Sequence, residues 1–414
     1  MGNTSPAERA AAVLECCLRG EPPPIEEWRS LLEEAAGEGE PAAAASQALF
    51  HELAEGLSDR FEPALCDVYA ALFSEVVNRV HPGLEAAALR ARYDRVRRAR
   101  HFSGPPPAKV FVLSRVTLGA DVAITSILLD AARKRFPQAE IHFVGSRKAA
   151  ELFAGAAQIR HIAADYRKND DLRSRVEHGL ALREWLTEPD SIVIDPDSRL
   201  TQLGLLPVCR EENYYLFESR SYGRDGDESL GMLTRRWVAE TFGVVDALPF
   251  VAPPPGPAAP AGITVSFGVG ENPAKSLAPE FEAALLKELA RLGLPLLVDK
   301  GLGAGEKARA TQAIAASGVP SDRIETWDGS FAPFAARIAR SRLYVGYDSA
   351  GQHVAAAAKV PLLSIFAGYP CARFLHRWHP SGVAPARVLA AGNSPWRAVL
   401  EESLRAAEAL LKAA

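Results

Sequence analysis

Cysteine is scarce and poorly spaced for joint work. Only Cys16, Cys17, Cys66, Cys209 and Cys371 occur in 414 residues. The number is odd and no C-x-x-C or Cys/His ligand spacing appears, so the pattern suggests neither a disulfide framework nor a zinc site. Reduced thiols in a cytosolic compartment are the expectation. No apolar run reaches the ~18 residues that a bilayer span needs. The opening MGNTSPAERAAAVLECC has early acids and no uninterrupted apolar core, so it does not read as a secretory signal. Pro6 stands where a myristoylation pattern wants Ser or Thr. A surplus of positive charge is missing too. The net charge is −4, which gives no global case for nucleic acid, whose phosphates call for clustered Lys and Arg.

Length and apolar content are plentiful. At 414 residues, with 48% hydrophobic and 24% charged, the chain has the composition of a globular protein of two or three domains. Two proline-rich stretches punctuate it, SGPPPA at Ser103 to Ala108 and APPPGPAAPAG at Ala252 to Gly262. Neither can form a helix or a central strand, and both read as linkers. They imply three parts: residues 1–103, 108–251 and 261–414.

Residues 1–103 carry apolar positions at helical spacing, as in IEEWRSLLEEAA and FEPALCDVYAALFSEVVNRV, and read as a helical domain. Their last helix, LRARYDRVRRARH, holds Arg90, Arg92, Arg95, Arg97, Arg98 and Arg100. A solvated face is the plainer reading of that run, and a patch for an anionic surface is the alternative. In 108–251, the buried-strand pattern AKVFVLSR is followed by ITSILLDAARKRF, IHFVG and later SIVIDPDSR. In 261–414 the plan repeats, from GITVSFGVG through PLLVDKG and RLYVGYD to PLLSIFAG. Strands alternating with helices of this length predict two doubly wound parallel sheets. Ligands of such sheets bind beyond the carboxyl ends of the strands, so the space between the two is the expected site. The final helix, from about Trp396, is expected to lean across the junction.

One strand-to-helix turn is rich in chemistry. YVGYDSAGQHVAAAAKVPLLSIF, Tyr344 to Phe366, breaks at Asp348 and Ser349. Either can cap the following helix, and Ala350 and Gly351 are small enough to let a ligand reach the first-turn N–H groups, a setting suited to phosphate. Any strand-to-helix turn also wants a cap and small residues. His353 falls one helical turn past Ser349 and can face the same side, although a lone His in an Ala-rich helix is more often packed. Asp195 and Asp197 in IDPDSR read as turn and cap residues more than as a cation site.

DSAGQHVAAAAKVPLLSIFAG resembles the signature of glycosyltransferase family 9, the heptosyltransferases of lipopolysaccharide synthesis. VFVLSRVTLGADVAITSILLDAARKRFPQAEIHFVG resembles that family's first strand, its Leu-Gly-Asp turn and the helix after it. FGVGENPAKSLAPEFEAALLKEL resembles its glycine-bearing loop with a Lys before the helix. The three motifs stand in the family's order and cover most of Lys109 to Gly382, while the helical first part has no counterpart.

The resemblance implies a GT-B fold, two Rossmann-like domains facing a cleft, here with an additional N-terminal α-helical domain. It implies a nucleotide-diphosphate sugar, such as ADP-heptose, as co-substrate, inversion at the anomeric carbon, no metal and no other cofactor. A glycan or glycolipid would be the acceptor, and the enzyme would work in the cytoplasm, with peripheral contact at the inner face of the membrane. Carried over residue by residue, Asp121 would be the base that takes the acceptor proton, although Ala120 makes the turn one residue longer than the family's, which also allows Asp121 to be a helix cap. Lys275 would neutralise the leaving diphosphate. Asp348, Ser349, Ala350, Gly351, Gln352, His353, Glu306, Gly268 and Gly368 would surround the donor. From their place near strand ends, and not from the resemblance, Arg115, Arg199 and Gln202 would face the acceptor, with loop packing as the plainer alternative. Tyr214, Tyr215 and Arg220, and Tyr369, His376, Arg377 and Trp378 in a loop unlike the family's, are further candidates. Two other readings stay open: a nucleotide-sugar-binding or scaffold protein without catalysis, and a sugar-nucleotide epimerase of the same fold.

Overall fold

The computed structural model describes residues 4–166, 170–255, 262–270 and 272–413. Two parallel sheets form the frame. The first is built from β1 (Lys109–Leu113), β2 (Glu140–Gly145), β3 (Ile159–Ala163), β4 (Ser191–Asp195) and β5 (Tyr214–Leu216), in the order β3-β2-β1-β4-β5. The second holds β6 (Ile263–Ser266), β7 (Leu296–Asp299), β8 (Ile324–Trp327), β9 (Leu343–Tyr347), β10 (Leu362–Phe366) and β11 (Ala386–Ala390), in the order β11-β10-β9-β6-β7-β8. The strands β1, β4, β6, β9 and β10 are almost wholly buried, which is why they read as continuous apolar runs with no alternation. Each sheet reverses its strand order beside its first strand, and the strand ends there enclose the cleft.

Residues 6–96 are helical, as the spacing predicted. Their apolar faces join a single core with Phe111, Leu113, Val144 and Val193 of the first sheet, so this segment is packed onto the sheet and not tethered beside it. The arginine-rich helix Ala86–Val96 explains the seam, and the solvated-face expectation holds for part of it: Arg95, Arg98 and Arg100 are exposed. Arg92 is buried and donates to the Gly204 carbonyl at 2.8 Å, and Arg95 pairs with Glu211 at 2.7 Å. Arg97 pairs with Glu218 at 2.9 Å, and Arg100, just past the helix, donates to the carbonyls of Glu211 and Glu212 while lying over the Tyr215 ring. These side chains dock the helix on the edge of the first sheet, because guanidinium forks can satisfy several carbonyls at once.

A third core lies between the second sheet and the helices Pro279–Arg291 and Trp396–Ala413. The final helix therefore stays with its own sheet and does not cross the junction. The two sheet layers nevertheless meet, since one apolar cluster runs from Ile124 and Leu233 to Val354 and Phe366. Part of the second proline-rich stretch, residues 256–261, lies outside the described residues.

Candidate active site

The strand ends enclose a cleft of about 500 Å³ between the two sheets. On the far side, Lys275 ends the short turn Pro273–Lys275, and its Nζ donates to Asp348 Oδ2 at 2.6 Å. Both residues line the cleft. Asp348 Oδ1 accepts from Gln352 Nε2 at 2.6 Å, and Gln352 Oε1 accepts from Ser364 at 2.5 Å. This chain fixes the carboxylate, and through it the ammonium. The helix Ala350–Ala357 starts beside that pair, with Ser349, Ala350 and Gly351 on the cleft wall. Ser349 makes no side-chain cap bond, so no side chain of the cap takes up the first-turn N–H groups, and the positive end of the helix dipole lies at the cleft wall. A Cβ on Gly351 would come within 2.1 Å of the Tyr344 hydroxyl, so only glycine lets the helix start lie this low over the strand.

His353 also lines the cleft, packed 5.8 Å from the Trp378 ring. Burial and the nearby Lys275 push its pKa down to about 3, which leaves a neutral imidazole. Glu306 faces the cleft as well, but its carboxylate is occupied. Oε1 accepts from the N–H groups of Val269 and Gly270 at 3.2 and 3.1 Å, and Oε2 from Leu302 at 3.2 Å. It clasps the glycine loop to the loop after β7, and Gly268 beside it lines the cleft. Trp327, Phe331 and Phe334 form an aromatic corner at the same end. The sequence reading missed that corner, because its residues come from a strand end and the helix after it.

On the near side the expected base is not on the wall. Asp121 is fully buried and absent from the cleft lining. Its Oδ1 accepts from the Arg115 N–H at 2.6 Å and Thr125 Oγ1 at 2.8 Å, and its Oδ2 accepts from Ser114 Oγ at 2.7 Å. Burial still raises its pKa to about 6 against those donors. Asp121–Thr125 form a π-helical turn, and Gly119 and Ala120 line the cleft where Asp121 does not. Asp121 braces the strand end.

Other expected contacts also move. Gln352 is buried and acts through Asp348 without touching the cleft. Gly368 lies off the wall, where a Cβ would meet the Ala274 carbonyl at 2.2 Å, so it seats the turn that carries Lys275. Gln202 lines only a small cavity of about 20 Å³ under the helical segment. Tyr214 and Tyr215 are buried in the core seam. Asp195 accepts from Ser198 N–H at 2.7 Å and from Thr201 and Tyr214 hydroxyls at 2.5 Å, the work of a turn residue.

Arg115, Arg199 and Arg220 do line the cleft. Arg115 donates to the Asp197 carbonyl at 2.7 Å, and burial, with Arg220 close by, lowers its pKa to about 9. Arg220 pairs with Asp197, and Arg199 with Glu55 at 2.9 Å. Asp59 and Phe61 of the helical segment join them on the wall. Nothing in the local sequence signalled these two, because only the docking of the helices brings them there.

No family model matches the chain, and no curated protein matches it in sequence. Solved structures do match. The glycosyl transferase family 9 protein of Veillonella parvula DSM 2008 is 18% identical, with a TM-score of 0.56 over 74% of this chain and 98% of that one. This chain shares its fold. The E. coli heptosyltransferase WaaC solved with ADP-2-deoxy-2-fluoro heptose is 16% identical, with a TM-score of 0.52 over 72% of this chain and 98% of that one. The same enzyme solved with ADP gives a TM-score of 0.50 at 16% identity, over 71% and 99%. The family resemblance seen in the three motifs thus extends to the fold. Among the described residues, no helix is long and apolar enough to cross a membrane.

Proposed function

We propose that the protein is a glycosyltransferase of the heptosyltransferase type, moving a sugar from a nucleoside-diphosphate sugar to a hydroxyl of a glycan or glycolipid. The observation that carries this reading is the pairing of Lys275 with Asp348 at the mouth of a helix whose first turn lies at the cleft wall. An ammonium fixed at 2.6 Å from a buried carboxylate, beside a helix N-terminus, is built to receive the negative charge of a departing diphosphate. The aromatic corner of Trp327, Phe331 and Phe334 offers a nucleobase a flat surface. The WaaC structures carry ADP or an ADP-heptose analogue, which favours an ADP-heptose-like donor here. Inversion, independence of metal and a cytoplasmic site of action follow from the same resemblance. The helical segment would serve as an added domain that completes the acceptor side.

The withdrawal of Asp121 from the wall favours one other reading, a protein that binds nucleotide sugars without transferring them. A thermal-shift series with ADP-, UDP- and GDP-sugars tests the common ground of both. The expected result is a higher melting temperature with ADP-sugars. Failure of every nucleotide sugar to move it would remove both readings. Release of ADP from ADP-heptose then separates transfer from silent binding.

A further inference from the structure

With Asp121 turned inward, the cleft needs another group to take the acceptor's proton, because a sugar hydroxyl is a poor nucleophile at neutral pH. We propose that Asp59, supplied by the helical segment that precedes the first sheet, is that general base. This inference rests on the glycosyltransferase reading above.

Four observations point to it. Asp59 lines the same cleft as Arg199, Arg220, Lys275 and Ala120. Among the described residues, no hydrogen bond or ion pair engages its carboxylate, whereas Asp121, Asp195, Asp197 and Asp348 are all engaged. A carboxylate on the wall with unengaged lone pairs can accept from a substrate hydroxyl without first breaking a bond to the protein.

The backbone also holds Asp59 at the meeting of the two sheets. The helix Glu55–Ser58 stops at Asp59, whose N–H donates to the Glu55 carbonyl at 2.9 Å. Two residues on, Phe61 adopts φ 54°, a left-handed conformation that costs a bulky residue of the order of 1 kcal/mol or more. The surroundings hold it there. The Phe61 carbonyl accepts from Arg373 at 3.1 Å, and its ring lies 6.3 Å from both Phe374 and Trp378. Arg60 donates to the Pro370 carbonyl at 3.5 Å. A strained turn fixed from the donor side thus presents an acid from the acceptor side. Finally, burial raises the Asp59 pKa, with Arg220, Arg199 and Lys275 opposing and Glu55 assisting, which makes it a better proton acceptor than an ordinary carboxylate.

The step balances without a further reactant. The acceptor O–H gives its proton to the Asp59 carboxylate as its oxygen bonds to the anomeric carbon. The bond from that carbon to the donor's diphosphate oxygen breaks, and the diphosphate leaves as an anion against Lys275. The Asp59 carboxylic acid returns its proton to water after product departs.

The test is Asp59→Asn in the full chain, which keeps shape and removes basicity. ADP binding is measured by calorimetry, and ADP release from ADP-heptose is followed with and without acceptor glycolipid. The expected result is ADP binding within about twofold of wild type and kcat lower by about 10² to 10⁴-fold, the range for losing a general base. Asp59→Glu should recover part of the rate. The wild-type kcat should fall as pH drops through the raised Asp59 pKa, and that acid limb should vanish in Asp59→Asn. The groups facing Asp59 that could distort the limb are Glu55, Arg199, Arg220 and Lys275. An Asp59→Asn protein that turns over within about threefold of wild type overturns the inference and leaves the transferase reading intact. Wild-type protein that binds no nucleotide sugar removes that reading and this inference together.

Discussion

Two strand-to-helix turns face each other across the cleft, and each carries an acid, yet the acids do opposite work. Asp348, at the end of β9, is turned toward the cleft and fixes the ammonium of Lys275. Asp121, in the first turns of the helical stretch after β1, is buried and spends both oxygens on Ser114, Arg115 and Thr125. The acids sit at different places in their turns. In the far turn Asp348 precedes the helix, which starts directly after Ser349, whereas in the near turn the helix starts at Leu118 and Asp121 lies inside it, at the start of a π-helical stretch. An acid's place in a motif therefore does not fix its direction. Its place before or inside the helix does.

Of the two turns, the far one should show the larger effect. Lys275→Ala removes the positive charge opposite the leaving group, and kcat for ADP release from ADP-heptose should drop about 10² to 10³-fold, the loss seen when one charge-stabilising donor is deleted. It also leaves Asp348 unpaired on the wall, so ADP affinity should fall as well. A variant with normal turnover would put the two turns on an equal footing and dissolve the contrast.

The near turn should respond in stability, not in chemistry. Asp121→Ala leaves a buried N–H and two hydroxyls without their acceptor, which costs about 3 kcal/mol and should appear as a lower melting temperature. Among the molecules that stay folded, ADP release should change far less than in Asp59→Asn. The pH dependence has a definite sign. The folded pKa of about 6 lies above the ordinary 3.8, so the contribution of Asp121 to stability is fully present below about pH 4 and declines as pH rises through about 6. Replacement by Asn should flatten that part of the stability profile. An unchanged profile would mean that burial does not raise the Asp121 pKa.

How far the sequence disclosed this arrangement depends on the range over which each feature is determined. The two sheets were legible because buried parallel strands are continuous apolar runs and their helices follow at regular spacing. Asp348, Ser349 and Gly351 were legible as candidates because a small-residue helix start after a strand is a local pattern, while Lys275 was reached only through the family resemblance of its loop. Asp59 and Phe61 were not, because their position depends on where a whole helical segment docks. The arginines that dock it looked like a solvated face, since a charge pattern along one helix says nothing of the carbonyls it will meet. Gly368 and Gln352 were assigned to the donor, but their neighbours in space, Ala274 and Ser364, make them supports for the residues that line the cleft.

The smallest effect should lie where the two turns touch. Gly119 in the near turn approaches the far turn so closely that an added Cβ would sit 3.3 Å from both the Ala350 Cα and the His353 Cδ2. Its φ is not left-handed, so alanine meets no backbone strain there and the effect is purely one of space. Neither neighbour can yield by rotating a long side chain, since one is backbone and the other a ring packed against Trp378. Gly119→Ala must therefore push the two turns apart by a few tenths of an ångström. Such overpacking costs about 1 kcal/mol, and kcat/KM for ADP-heptose should fall about threefold to tenfold with little change in melting temperature. Because the displacement widens the gap between the Asp59 side and the Lys275 side together, the loss should appear in kcat more than in ADP affinity, which depends on the far turn alone. A variant that lost ADP affinity while keeping kcat would show that the near turn helps to hold the nucleotide, and that the division of labour between the turns is less sharp than their acids imply.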